Sequence, residues 1–156
     1  MAEDRMHEDD LELKDLNNYT GTEAYHSLRP MFKTVATDGV AYIMQNGYSW
    51  FVTDALAVIE RAKLDADAKL DERLVIEPAI EKLVQYFKTG EDFLSIKLEL
   101  PGEGAKMVIT DGDENVLYTQ DYDYTSAKKE LQLFYQSGGE MDSGKVYHVL
   151  MLSGEY

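Results

Sequence analysis

The sequence predicts an α+β fold, with an antiparallel sheet of about five strands and two main helices packed on one face of it. Two patterns predict this fold. Apolar residues recur at helical spacing in the middle of the chain, and apolar and polar residues alternate further on. The 156 residues include no cysteine, which excludes a disulfide scaffold and Cys-type zinc sites. We therefore expect one domain held together by an apolar core.

Apolar stripes mark the two main helices. The first helix has Ser49 as its predicted N-cap, and its stripe consists of Phe51, Ala55, Val58, Ile59 and Ala62. The second helix ends at Thr89-Gly90, and its stripe consists of Ile76, Ile80, Leu83, Val84 and Phe87. A shorter helix is predicted from Thr125 or Ser126 to Tyr135, since Ala127, Leu131 and Phe134 share one side.

Alternation and turn residues mark the strands. Asp38-Gly39 lies between two apolar runs and predicts a first hairpin. Residues 93–100 alternate in character and form a predicted strand that Pro101-Gly102 ends. Residues 106–110 and 116–124 flank a polar turn and predict a second hairpin. Residues 145–153 are apolar on both faces, which favours a central strand.

The net charge limits the possible partners. The chain has 15 Lys and Arg against 30 Asp and Glu, a formal charge of −15. Direct binding to nucleic acid or to anionic membranes is therefore not expected, because both depend on basic side chains. Residues 1–16 are predicted to form an acidic, disordered leader, and residues 17–156 to form the single domain. The leader lacks the pattern of a secretory signal, so we expect a cytoplasmic protein.

The second predicted hairpin is the main candidate interface. Between residues 111 and 124 it carries five acids and no base, namely Asp111, Asp113, Glu114, Asp121 and Asp123. Asp121 and Asp123 would project from one face of a strand about 6.8 Å apart, a spacing comparable to that of backbone phosphates. A basic protein surface is the partner that such a row would bind. The competing interpretation is an edge hairpin kept soluble by its charges.

A loop before the first hairpin is the second candidate site. It would use Glu23 and His26 as acid and base, and its residues are Thr20, Thr22, Glu23, Tyr25 and His26, with Trp50. His148 is interpreted as a satisfied residue of the last strand. We expect no metal and no cofactor, since the calcium-loop spacing from Asp111 fails at Val116, where a glycine is needed.

Several short motifs resemble a domain-of-unknown-function family of small proteins from bacterial phages, plasmids and other mobile elements. The motifs are Thr20-Gly21-Thr22-Glu23 with Tyr25, Thr37-Asp38-Gly39-Val40, Trp50 before Asp54-Ala55, the 111–116 turn, Tyr118-Thr119-Gln120 and the terminal Ser153-Gly154-Glu155-Tyr156. The resemblance covers residues 16–59 and 93–156, and residues 60–92 would be a helical insertion. It implies a compact α+β domain on a mobile element and no particular activity.

Three functions remain as hypotheses. The first is a non-catalytic acidic protein that blocks the nucleic-acid-binding surface of a host defence complex, as anti-CRISPR and antirestriction inhibitors do. The second is a small enzyme or ligand-binding domain that uses the Thr20–His26 loop. The third is a structural module that forms a homodimer or larger oligomer by pairing its sheet edges.

Overall fold

A computed structural model shows a seven-stranded mixed sheet with two main helices on one face. It describes residues 25–28, 34–67, 77–123, 125–140 and 146–155. The α+β fold class is confirmed, although the sheet has more than the five strands predicted. The acidic leader and most of the Thr20–His26 loop lie outside the described residues. Within these ranges, no helix has the length and apolar character that a membrane span requires.

The strands are β1 (Tyr25–Ser27), β2 (Thr34–Thr37), β3 (Leu94–Glu99), β4 (Ala105–Thr110), β5 (Val116–Tyr122), β6 (Leu131–Glu140) and β7 (Val146–Leu152). The helices are α1 (Asp38–Ile43), α2 (Ser49–Asp67) and α3 (Glu81–Lys88), with short 3-10 helices at Pro78–Ile80 and Ser153–Glu155. The strand order is β1-β2-β7-β6-β3-β4-β5. Only β2 and β7 pair in parallel, and the other neighbouring strands are antiparallel.

The core lies between the helices and one face of the sheet. Leu94, Ile96 and Leu98 alternate along β3 and are fully buried, as is Phe51 on α2. The strand register places Ile96 beside Ile109 of β4 and Leu133 of β6, and all of these side chains belong to one buried cluster. The predicted apolar face of α2 is confirmed, because its stripe packs into this cluster with Val58 at the margin.

The predicted hairpin at Asp38-Gly39 is wrong, because these residues begin α1. Thr37 has an extended backbone (φ −75°, ψ 172°), and its side chain accepts a hydrogen bond from the Val40 N–H at 3.4 Å, as an N-cap does. The helix then continues through a kink, Met44–Tyr48, where Gly47 has a φ of 101°. Ser49 consequently has a helical backbone and does not act as the predicted N-cap of α2.

The predicted helix from Thr125 to Tyr135 is also wrong, because its second half forms β6. Leu131, Leu133 and Tyr135 are buried on the helix side of the sheet. These residues alternate as in a strand, although Ala127, Leu131 and Phe134 also fit a helical spacing. The segment adopts the strand conformation because β6 lies between β3 and β7 and hydrogen-bonds to both. By contrast, the second hairpin is confirmed as β4 and β5, and the last strand is central as predicted.

Candidate functional site

The acidic hairpin lies at one edge of the sheet. β5 is the terminal strand of the order, and within the described ranges it pairs only with β4. Its burial pattern is that of an edge strand, with Val116, Thr119 and Asp121 exposed. A strand in this position presents unpaired backbone N–H and C=O groups on its outer side. The hairpin is thus an accessible surface that carries a hydrogen-bonding edge.

Asp111 organises the turn between β4 and β5. Its carboxylate accepts hydrogen bonds from the Asp113 N–H at 2.8 Å, the Asn115 N–H at 3.3 Å and the Asn115 side-chain amide at 2.7 Å. The hydrogen bond from the Asn115 side chain is the main reason that the pKa of Asp111 is lowered. Asp111 therefore has a structural role in addition to its charge, whereas Asp113 and Glu114 are exposed.

Asp121 at the end of β5 and Asp123 just after it do not form an uninterrupted negative row. Asp121 and Asp123 are both exposed, but the register places Lys106 of β4 directly opposite Asp121. Directly opposed side chains on antiparallel strands are close enough for a positive side chain to offset the charge of a negative one. Residues 111–124 include no basic residue, but Lys106 of the neighbouring strand places a positive charge beside them.

Of the loop-site candidates, the structure describes the side chains of His26 and Trp50, and these two have different partners. Thr20, Thr22 and Glu23 lie outside the described residues, and of Tyr25 only the backbone in β1 is described. His26 Nε2 lies 2.7 Å from Asp38 Oδ1 at the start of α1. Trp50 instead packs edge-on against Tyr122 of β5. Trp50 therefore contacts the β5 edge of the sheet, whereas His26 lies on β1 at the other end of the strand order.

A groove of about 810 Å³ runs between α3 and β5. Val116, whose side chain is 46% exposed, lies in its wall. The residues that line the groove are Pro78, Ala79, Glu81, Lys82, Gln85, Tyr86, Thr89, Asn115, Val116, Leu117, Tyr118 and Thr119. An edge strand with a helix beside it and an apolar groove between them is the arrangement that accepts an added strand in β-augmentation.

Carboxylates near this groove act on two tyrosines that line it. The pKa of Tyr86 is raised to about 12, mainly by burial, with the carboxylates of Glu91 and Asp111 contributing. Burial also raises the pKa of Tyr118, with Glu77 and Asp54 adding to the effect. A tyrosine pKa rises near carboxylates because the phenolate would be repelled by them. For both tyrosines burial is the larger cause, and the nearby carboxylates act in the same direction.

A second site, which we call the lysine pocket, lies between α2 and the β6–β7 region. It is a cavity of about 250 Å³ lined by Thr34, Glu60, Lys63, Leu64, Asp67, Tyr135 and His148. The Lys63 Nζ atom donates to Tyr135 Oη at 3.2 Å and lies 2.8 Å from His148 Nε2. The same Nε2 atom is 3.1 Å from Asp92 Oδ2. The pocket thus contains a connected chain of four polar side chains.

The environment of the lysine pocket disfavours positive charge. Burial lowers the pKa of Lys63, although the carboxylates of Asp92, Asp67 and Glu60 oppose that effect. Burial, followed by the nearby Lys63 charge, lowers the pKa of His148, and the hydrogen bond to Asp92 opposes it. Burial also raises the pKa of Tyr135. Perturbed groups that converge on one cavity are a typical property of functional sites.

Sequence reasoning missed the lysine pocket. Lys63, Asp92 and His148 are far apart in the sequence, and no motif joins them. His148 was interpreted as a satisfied strand residue, which its bonds to Lys63 and Asp92 support in part. The available signal was the polar His148 within a strand that is otherwise apolar on both faces. A second signal was Lys63, which follows Ala62 at the border of the buried stripe of α2.

We expect His148 to titrate below its ordinary pKa of 6.5 and to make stability pH-dependent. In the unfolded chain His148 would bind a proton near pH 6.5, whereas the folded chain holds it neutral to lower pH. The unfolded state then binds more protons, so the contribution of His148 to the unfolding free energy is lost as pH falls below 6.5.

The measurement is an NMR titration of the imidazole carbon-bound protons. A His148→Gln variant assigns the His148 signal, and urea unfolding from pH 8 to pH 5 follows stability. The variant should lose less stability over this range than the unmodified chain. A His148 midpoint at or above 6.5 would contradict the expectation.

The fold and the two sites define a small α+β protein with an acidic, groove-bearing sheet edge and a separate polar pocket. The chain belongs to a family of unknown function (DUF6876), whose match extends over residues 10–156. This match also runs across residues 60–92, the expected insertion. Neither the curated proteins nor the solved structures contain a significant match to the chain.

Proposed function

We propose that the protein is a non-catalytic interaction protein that binds an extended basic segment of a partner protein along β5. The observation that supports this proposal is the groove between α3 and β5, the terminal strand of the sheet. The backbone of β5 offers hydrogen bonds to an incoming strand, and apolar residues such as Val116 offer contact area. The origin on a phage or plasmid, which the sequence motifs suggested, is part of the same proposal.

Charge supports a basic partner over an acidic or neutral one. Asp113 and Glu114 lie beside the groove at the β4–β5 turn, and both are exposed. Glu81 is in the groove wall with Lys82 as the accompanying base. A basic segment would be attracted to this surface at long range and would offset its negative field once bound.

The same charges disfavour pairing of β5 with the β5 of a second copy. In such a dimer Asp121, Asp123 and the acids of the turn would approach the same acids of the other copy, and like charges across a strand pair are destabilising. A homo-oligomer formed through this edge is therefore the less favoured alternative. Sedimentation velocity at 50 mM and 500 mM NaCl would reveal such an oligomer, because its sedimentation coefficient would be larger at the higher salt concentration.

We expect the protein to bind a fluorescein-labelled ten-residue peptide in which Lys and Val alternate. Fluorescence anisotropy should show affinity at 50 mM NaCl that falls at least tenfold at 500 mM, since salt screens exposed charges. Amide chemical shifts should change along β5 and α3. A peptide with Glu in place of Lys should not bind, and one with Pro at alternate positions should bind more weakly, because proline cannot donate to a strand ladder.

A matched pair of variants tests the position of the site. The double substitution Asp113→Asn with Glu114→Gln should weaken peptide binding about fivefold, which corresponds to roughly 1 kcal/mol for two near-surface charges. The control, Glu99→Gln with Glu103→Gln, removes the same charge near the opposite end of the hairpin. Equal weakening by both variants would show that the peptide responds only to net charge.

We propose, more specifically, that the partner is the basic surface of a host nucleic-acid-binding defence complex, as it is for anti-CRISPR and antirestriction inhibitors. The charge of −15 supports it, while Lys106 opposite Asp121 argues against a continuous imitation of phosphates. A pull-down from nuclease-treated bacterial lysate at low and high salt is the test. Recovery of no nucleic-acid-binding protein would remove this form and leave the peptide-binding form standing.

A further inference from the structure

We infer that the lysine pocket is a covalent site in which the Lys63 amine forms an imine with a small neutral aldehyde or ketone. This site is distinct from the β5 groove, since its lining residues come from β2, α2, β6 and β7. The inference is independent of the function proposed for the groove. It depends on the position of one amine among three polar side chains.

The pocket holds the Lys63 amine in a defined orientation. A neutral primary amine has two N–H bonds and one lone pair. Tyr135 Oη at 3.2 Å and His148 Nε2 at 2.8 Å provide an acceptor for each N–H, which leaves the lone pair for a third direction. The amine also lies 5.4 Å from the centre of the Tyr135 ring and 5.5 Å from that of Phe87.

Burial raises the neutral fraction of the Lys63 amine at a given pH. The pKa of Lys63 is lowered because the surrounding protein solvates an ammonium less well than water does. Lysines activated in this way are the ones that form Schiff bases. The exposed Leu64, with 66% of its surface accessible, lies at the pocket beside Lys63 and provides an apolar contact for a ligand.

The His148–Asp92 pair can move the protons that the reaction requires. Lys63 Nζ attacks the carbonyl carbon, and the C–N bond forms as the C=O π bond breaks. His148 Nε2 takes a proton from the nitrogen, and the oxygen gains one to give a carbinolamine. The oxygen then takes a second proton from solvent and leaves as water while the nitrogen lone pair forms the C=N bond of an iminium, which gives its N–H proton back to solvent through His148 Nε2 to become the imine. One carbonyl compound and one amine thus give one imine and one water.

The position of His148 suits this exchange. Its Nε2 atom is within hydrogen-bond distance of both the Lys63 amine, at 2.8 Å, and Asp92 Oδ2, at 3.1 Å. Without a proton, Nε2 can accept from the amine. With one, it can donate to the Asp92 carboxylate, which stabilises the imidazolium while the proton is held.

The charge of the pocket selects the class of carbonyl compound. Glu60 and Asp67 line the cavity together with Lys63, and Asp92 adds a further carboxylate behind His148. An anionic carbonyl compound, such as a keto acid, would be repelled by these groups. A cavity of about 250 Å³ accommodates a small molecule. Small uncharged aldehydes and ketones fit both conditions.

The test is reductive trapping with propanal and sodium cyanoborohydride at pH 7. Hydride from cyanoborohydride reduces the imine to a stable secondary amine, and peptide mass spectrometry measures the rate at each lysine. We expect Lys63 to be labelled at least tenfold faster than Lys82 and Lys88, which are both exposed. In the urea-unfolded chain all three should react at similar rates. Labelling of Lys63 no faster than the exposed lysines would overturn the inference.

Two comparisons sharpen this test. Tyr135→Phe keeps the ring but removes the oxygen that orients the amine, so the Lys63 rate should fall several-fold while the rate at Lys82 stays constant. An unchanged Lys63 rate would count against the pocket geometry. Replacement of propanal by glyoxylate should lower the ratio of Lys63 to Lys82 labelling at least fivefold. A higher ratio with glyoxylate would overturn the assignment to neutral carbonyl compounds.

Discussion

Glu155→Ala should lower the unfolding free energy by about 3 kcal/mol, because one carboxylate satisfies donors from three parts of the chain. It accepts from the Thr37 hydroxyl at 2.6 Å, the Gly39 N–H at 3.1 Å and the Leu152 N–H at 2.9 Å. Thr37 is only 2% exposed, so its hydroxyl would lose a partner away from water. A carboxylate also suits the N-terminus of α1 electrostatically. Urea unfolding followed by circular dichroism measures the loss.

A matched control and a double-mutant cycle make this expectation specific. Glu103→Ala removes an exposed acid and should change stability by less than about 0.5 kcal/mol. Thr37→Val combined with Glu155→Ala should be less destabilising than the sum of the two single changes, since both remove the same hydrogen bond. Strict additivity would show that Thr37 and Glu155 are not coupled in solution.

Gly39 belongs to the same contact. A Cβ atom at this position would lie 2.6 Å from Glu155 Oε1 and 2.6 Å from Leu152 Cδ1. Glycine is therefore required here for a close approach, and not for the hairpin turn that the Asp-Gly pair suggested. The Asp38-Gly39 pair was therefore misleading as a turn signal. These residues form the N-terminus of α1, against which Leu152 and Glu155 pack.

Phe51→Ala should cost about 3 to 5 kcal/mol, the usual range for removing a buried aromatic side chain and leaving a cavity. Phe51 is fully buried on α2 in the core cluster. For a chain of this size the melting temperature should fall by roughly 10 °C. Thermal unfolding by calorimetry and urea unfolding provide two independent measurements.

The control for this prediction lies on the same helix. Leu64→Ala also shortens an apolar side chain of α2, but Leu64 is 66% exposed, so stability should change by less than about 0.5 kcal/mol. Equal destabilisation by both substitutions would contradict the burial of Phe51 and the exposure of Leu64 on α2.

The features that the sequence predicted correctly depend on local periodicity. The apolar stripe of α2 identified its buried face, and the alternation of residues 93–100 identified β3. The turn at residues 111–115 identified the β4–β5 hairpin, because Asp111 forms hydrogen bonds within that turn alone. Each pattern involves neighbours along the chain, so the physical cause is contained in the segment itself.

The candidate sites were predicted less completely. The acids of the hairpin were found from composition, and Asp113 and Glu114 are exposed as an interface requires. The groove between α3 and β5 was not predicted, since it depends on where α3 packs. Lys106 opposite Asp121 follows from strand register, which the sequence does not specify. The lysine pocket joins residues as far apart as Lys63 and His148.

The sequence by itself determined the α+β class, the buried face of α2 and the acidic character of the second hairpin, because periodicity, turn chemistry and charge are local properties. Tertiary structure decided the rest. The Asp38-Gly39 segment begins a helix, where the Gly39 N–H donates to Glu155. Residues 131–140 form a strand because they pair with both β3 and β7. Those outcomes depend on hydrogen bonds between distant segments, and local propensity cannot reveal partners that only folding brings together.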